Sequence, residues 1–284
     1  MRLDEEQESQ NVEDRRGFRV SKGVAGGGIG GIAIILIALF LGIDPSVLLQ
    51  NSPESNTSQE PGPQSSPAGS DEGREFVARV LGSTERVWGE IFQRGGRQYA
   101  EPKLVLFTGQ VQSACGFASA AAGPFYCGMD QKVYIDLAFY RELHNRFKAP
   151  GDFAQAYVVA HEVGHHVQNL LGIMEKIQQR QRRASEGEAN ALSVRLELQA
   201  DCLAGVWASL ANRERKILEP GDVEEGLNAA AQIGDDTMQK RAQGYVVPEG
   251  FTHGSAQQRV RWFRRGIESG ELKQCDTFAS AGAL

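Results

Sequence analysis

Apolar positions cluster most densely between residues 24 and 43, a run without charge or proline. Ile29, Ile32, Ile34, Ile35, Leu36, Ile37, Leu39, Phe40 and Leu41 dominate it. A helix of about twenty residues rises about 30 Å, the thickness of a bilayer core, so the run predicts one transmembrane helix. Gly26-x-x-x-Gly30 and Gly27-x-x-x-Gly31 permit close helix–helix approach, and with it a homodimer through this segment. Arg15, Arg16, Arg19 and Lys22 precede the run, and no Lys or Arg follows until Arg74. The positive-inside rule therefore makes residues 1–23 a cytoplasmic tail and puts the C-terminal part outside. No small-x-small cleavage site precedes Asp44-Pro45, so the run reads as an anchor rather than a removable signal.

The pattern changes after the anchor. Residues 44–74 read as a flexible linker; from residue 51 it is rich in Ser, Pro and Gly and has nothing to build a core from. Residues 75–284 suffice for one sizeable domain. Within it, Glu75 to Phe92 has the period of an amphipathic helix, and Lys103 to Thr108 and Lys132 to Asp136 have the character of strands. Leu137 to Phe147 returns to helix. Asp152-x-x-Gln155 then opens a helix that runs to Leu171. Ser185-x-x-Glu188 caps another, reaching about Asn212, and further helices start at Asp222 and Ser255. The expectation is an α+β domain, mainly helical, with a small sheet beside the helix of residues 153–171 and one transmembrane helix before it.

Composition adds two constraints. A net charge of −6 argues against nucleic acid as a partner. Cys115, Cys127, Cys202 and Cys275 all fall on the predicted exported side, where disulfides persist. Four cysteines allow three pairings; Cys115–Cys127 and Cys202–Cys275 are favoured, the first closing a short loop and the second tying the C-terminal tail to a helix. No Cys-x-x-Cys occurs, which argues against a structural thiolate zinc site.

The candidate chemistry lies in His161-Glu162-Val163-Gly164-His165. On a helix, residues i and i+4 share a face, so both imidazoles can hold one zinc ion while Glu162 stands beside them as a base. His166 points about 100° away and reads as packing or support. A third ligand is needed, with His144, His253, Glu188 and Glu197 as candidates. Glu197 fits best, because Glu197 and Asp201 are i, i+4 neighbours among Leu196, Leu198, Ala200, Leu203 and Trp207. Buried carboxylates need partners. Glu197 is then a metal ligand, and Asp201 accepts from the far nitrogen of a ligand histidine.

With these residues in view, the chain resembles a bacterial family of neutral zinc metallopeptidases. The resemblance rests on Val159 to Gly172, on Glu197 to Cys202, on Thr252 to Arg259, on Asn11 to Gly17 and on Ser113 to Gly116. It covers nearly the whole chain apart from the stretch after the apolar run. The combined pattern also looks like the gluzincins, some of whose members are membrane-associated. The resemblance implies zinc on His161, His165 and Glu197, Glu162 as general base, and a substrate strand near Val133 to Ile135 or Ser113 to Ala120. The expected activity is peptide-bond hydrolysis of a protein or peptide substrate, by a protein of the bacterial inner membrane with its catalytic domain on the periplasmic side. His253 is a candidate catalytic electrophile, with Arg259 orienting it. Two rival readings use the same metal: a non-catalytic zinc-containing envelope scaffold, and a metal-dependent peptidoglycan amidase.

Overall fold

Alternation along two short strands sets up the core. In Lys103–Phe107 (β2) and Lys132–Asp136 (β6), Leu104, Leu106, Val133 and Ile135 join the main helical core. Val105, Phe107 and Tyr134 point the other way, into a second cluster with Val111 and Ala118. Both faces are therefore covered, as the near-continuous apolar character of parallel strands requires. The computed structural model describes residues 1–17 and 71–279.

The sheet has the order β1-β2-β6-β5, with β1 at Val12–Asp14 and β5 at Phe125–Cys127. β1 and β2 are parallel, as are β2 and β6, while β5 runs antiparallel to β6. Gln110–Ser113 (β3) and Gly116–Ser119 (β4) form a separate hairpin over the second cluster. The Cys115–Cys127 disulfide ties this hairpin to β5.

Helices cover the other face. Glu72–Arg94 (α1) buries Val77, Leu81, Val87 and Trp88, and Ala138–Asn145 (α2) follows the last strand. Asp152–Leu170 (α3) is buried nearly all round, as befits a central core helix. Ile173–Gln181 (α4) leads to the long helix Glu186–Arg215 (α5). Asp222–Gln232 (α6), Asp235–Gln243 (α7) and Ala256–Ser269 (α8) complete the layer. The Cys202–Cys275 disulfide fastens the C-terminal segment to α5. Both disulfides join the pairs favoured from sequence. The mainly helical α+β architecture also stands, and no described helix is long and apolar enough to cross a membrane.

Several expectations change. The transmembrane run 24–43, its homodimer and most of the linker lie outside the described residues. The domain starts earlier than residue 75: Asp71 caps α1 by accepting from the Arg74 backbone N–H. Residues 1–17 are not a tail apart from the domain. β1 is hydrogen-bonded to β2, Leu3 is buried in the main core, and buried Glu6 pairs with Arg215 at 2.5 Å. The N-cap of α3 is Gly151, at φ 117°, and Asp152 already lies in the first turn. The capping boxes at Ser185 and Ser255 both form. Val133 to Ile135 is flanked by strands on both sides, so it cannot take an added peptide strand.

Candidate metal centre

Two helices make the site by crossing closely. A side chain at Gly164 would meet the Ala200 backbone, its Cβ lying 3.0 Å from the carbonyl oxygen, so glycine lets α3 and α5 approach. The crossing sets Glu197 opposite His161 and His165. Glu197 Oε2 lies 3.1 Å from His161 Nε2, and Oε1 lies 3.4 Å from His165 Nε2. Ligand atoms of the three residues all fall within 4.8 Å of one another. Neither His144 nor Glu188 belongs to this cluster: His144 bonds Asn145, and Glu188 is committed to the cap at Ser185.

The far nitrogens are held as well. His161 Nδ1 donates to Asp201 Oδ1 at 2.8 Å, and His165 Nδ1 donates to Gln168 Oε1 at 2.9 Å. Each ring therefore keeps its proton on Nδ1 and turns Nε2 toward Glu197. Two imidazole Nε2 atoms and a carboxylate, converging from supported side chains, match the three-residue donor set of a catalytic zinc site. His166 is engaged elsewhere, with Nε2 donating to the Ala100 carbonyl and Nδ1 accepting from Tyr126. Its burial lowers its pKa.

Asp201 is the hub behind His161. It is fully buried, and it accepts from Tyr157 at 2.5 Å and from Arg259 Nε and Nη2 at 2.8 Å each. Burial alone would raise its pKa, but the Arg259 charge and bonds and His161 hold it down to about 2. Arg259 therefore serves the Asp201–His161 pair, not His253 as its spacing suggested. The residue that orients His253 is Asp235, at the start of α7. Asp235 Oδ2 accepts from the backbone N–H groups of Thr252, His253 and Gly254 at 2.7, 2.7 and 2.9 Å, and Oδ1 lies 3.2 Å from His253 Nδ1. His253 is partly exposed; burial opposes its charged form, but Glu197 and Asp235 outweigh that and raise its pKa.

Glu162 is buried beside the two histidines, and burial raises its carboxyl pKa against the pull of His161 and His165. His161 is raised to about 10: burial opposes the charge, and Asp201 and Glu197 prevail. His165 is raised as well, burial again being outweighed by Glu197. A second acidic group comprises Asp152, Asp222 and Glu225; the Met1 amino group lies 2.6 Å from Asp152, 3.3 Å from Glu219 and 3.5 Å from Asp222.

Two helical histidines and a glutamate from a second helix thus stand together as a group that could hold a metal ion. The chain belongs to the family described as "Putative neutral zinc metallopeptidase", whose model matches residues 1–278. It is 46% identical over 292 residues to the uncharacterized protein YpfJ of Escherichia coli strain K12, covering 99% of this chain and 100% of that one. It is 41% identical over 260 residues to the uncharacterized protein Rv2575 of Mycobacterium tuberculosis, covering 86% of each. No solved structure matches.

Proposed function

We propose that the protein is a zinc-dependent peptidase that hydrolyses peptide bonds of protein or peptide substrates, with His161, His165 and Glu197 as the zinc ligands. The observation that carries this reading is their convergence within 4.8 Å, with both imidazoles turned Nε2-inward by their Nδ1 partners. Zinc bound there supplies Lewis acidity, which brings the pKa of a water toward neutrality and polarises a carbonyl. Glu162 takes the proton from the attacking water and returns it to the leaving amine; its raised pKa suits a group that must both accept and give. His253, held by Asp235 with Nδ1 engaged, offers its other nitrogen to the oxyanion. β5 is the last strand of the sheet on the side nearest α3, where Tyr126 reaches His166. A substrate backbone running along β5 gains hydrogen bonds with little sequence preference.

For location, we propose an extracytoplasmic domain, a reading supported by the two disulfides. The pairing of β1 with β2 favours residues 1–17 on the same side as the domain. It weighs against a single crossing with the N-terminus in the cytoplasm.

The test is zinc content and cleavage of an unstructured protein such as casein by the full chain. The wild type should hold about one zinc, and Glu197→Ala should lose or greatly weaken it. Glu162→Gln should keep the zinc and lose about 10²- to 10⁴-fold in hydrolysis. Undiminished hydrolysis by Glu162→Gln that retains zinc would sink the mechanism.

A further inference from the structure

Behind His165 runs a chain of hydrogen bonds that ends on a backbone carbonyl. His165 Nδ1 meets Gln168 Oε1 at 2.9 Å. Gln168 Nε2 donates to the Leu196 carbonyl at 2.7 Å and to Gln199 Oε1 at 3.1 Å. Gln199 Nε2 donates to the Cys275 carbonyl at 2.9 Å. Gln168 is wholly buried and Gln199 nearly so, so neither amide has water to turn to.

The direction of this chain is forced. A carbonyl oxygen can only accept. The Cys275 carbonyl therefore demands the amide nitrogen of Gln199, which turns the Gln199 oxygen toward Gln168. The Gln199 oxygen and the Leu196 carbonyl together demand the amide nitrogen of Gln168, which turns the Gln168 oxygen toward His165. That oxygen accepts only from a protonated Nδ1, and Nε2 is left to face Glu197 and the metal position. Rotating any one amide by half a turn would set oxygen against oxygen in a dry interior.

The far end of the chain is itself pinned. Cys275 is bonded to Cys202 in α5, one residue from Asp201. Buried Thr277 donates its hydroxyl to the Arg195 carbonyl at 2.7 Å, and Arg195 donates back to the Thr277 carbonyl. The C-terminal segment thus grips the stretch of α5 that carries Glu197.

We propose that Gln168 and Gln199 are positioning residues for the metal ligand His165, and that the Cys275 carbonyl, anchored by the Cys202–Cys275 disulfide, sets their direction. The inference rests on the zinc reading above and adds residues that the His161–Asp201 pairing does not include. Asp201 holds one ligand histidine by charge; the glutamine relay holds the other by polarity alone.

The experiment uses the full chain and three readouts: zinc affinity by chelator competition, the visible spectrum of the cobalt-substituted protein, and the thermal midpoint of the metal-free protein. Gln168→Met should weaken zinc binding about 10- to 100-fold and shift the cobalt bands. Gln199→Met should act in the same direction and less strongly. Because the links are in series, the double variant should match Gln168→Met within about twofold instead of adding to it. A merely structural role would lower the metal-free midpoint and leave zinc affinity and the cobalt bands in place; that outcome overturns the proposal. If Gln168→Met does not fold, Gln199→Met, one link further from the metal, carries the same test. A wild type that binds no zinc overturns the peptidase reading itself, whereas zinc bound equally by wild type and folded glutamine variants overturns the relay alone.

Discussion

At the scale of single residues, a proton occupies the place of the metal. In the metal-free protein His161 is raised to about 10 by Asp201 and Glu197, against the opposing effect of burial. Its folded pKa lies above the unfolded value of about 6.5. Its proton thus stabilises the metal-free fold fully below about pH 6.5, and that benefit is lost as pH rises through about 10. On the proposed ligand assignment zinc would have to displace this proton, and His165 is shifted in the same direction. Zinc affinity should therefore rise with pH by about tenfold per unit for each proton displaced, or about 100-fold or more between pH 6 and 8. Chelator competition measures the slope, and calorimetry in buffers of different ionisation enthalpy counts the protons released. A flat affinity over that range would contradict the assignment. The sequence made His161, Glu162, His165, Glu197 and Asp201 legible because each has a fixed helical spacing to another. Gln168 was hidden: an amide three residues after a histidine looks like any polar interruption in an apolar helix. Asp235 left no local signal, because its partners at Thr252 to Gly254 are 17 to 19 residues away.

At the scale of elements, glycine decides how closely the helices pack. A side chain at Gly266 in α8 would collide with the Cys202 carbonyl, and one at Gly205 in α5 with the Phe263 carbonyl. The two helices touch backbone to backbone beside Asp201 and the disulfide. Gly89 in α1 is the opposite case, with nothing within 4 Å of an added Cβ. Gly266→Ala should cost about 1–3 kcal/mol or more through overpacking, whereas Gly89→Ala should stabilise by about 0.5–1 kcal/mol. Thermal midpoints should therefore move in opposite directions; a fall for both variants would refute the Gly89 reading. The short helices α4 and α7 were not read from the sequence. The positions of α1, α2, α3, α5, α6 and α8 followed from hydrophobic period, as did the caps at Ser185 and Ser255. The start of α3 did not, because Asp152-x-x-Gln155 imitates a capping box while Gly151 takes the cap and Gln155 reaches back to the Gly151 carbonyl.

At the scale of the molecule, the N-terminal segment is where sequence reasoning and structure part. Val12-Glu13-Asp14 is too short to show an alternation, and its partner strand lies far along the chain, so β1 was not legible. Arg15 and Arg16 read as the basic flank of a membrane anchor. In the fold they pair with Glu13, and with Asp14 and Asp71. The shared-side placement predicts equal labelling of two introduced cysteines, Asp4→Cys and Gln243→Cys, at exposed positions. A membrane-impermeant maleimide applied to spheroplasts should reach both. Labelling at residue 243 alone would put the two positions on opposite sides and overturn the shared-side placement.

That same segment has a consequence in time. The Arg2 N–H bonds the Ile217 carbonyl, and Glu6 meets Arg215, 209 residues further along. At synthesis rates of about 5–20 residues per second, roughly 10–40 seconds separate the emergence of Glu6 from that of its partner. Arg2 and Glu6 therefore reach their final contacts only after residues 215–217 have been made, long after β2 is available to β1.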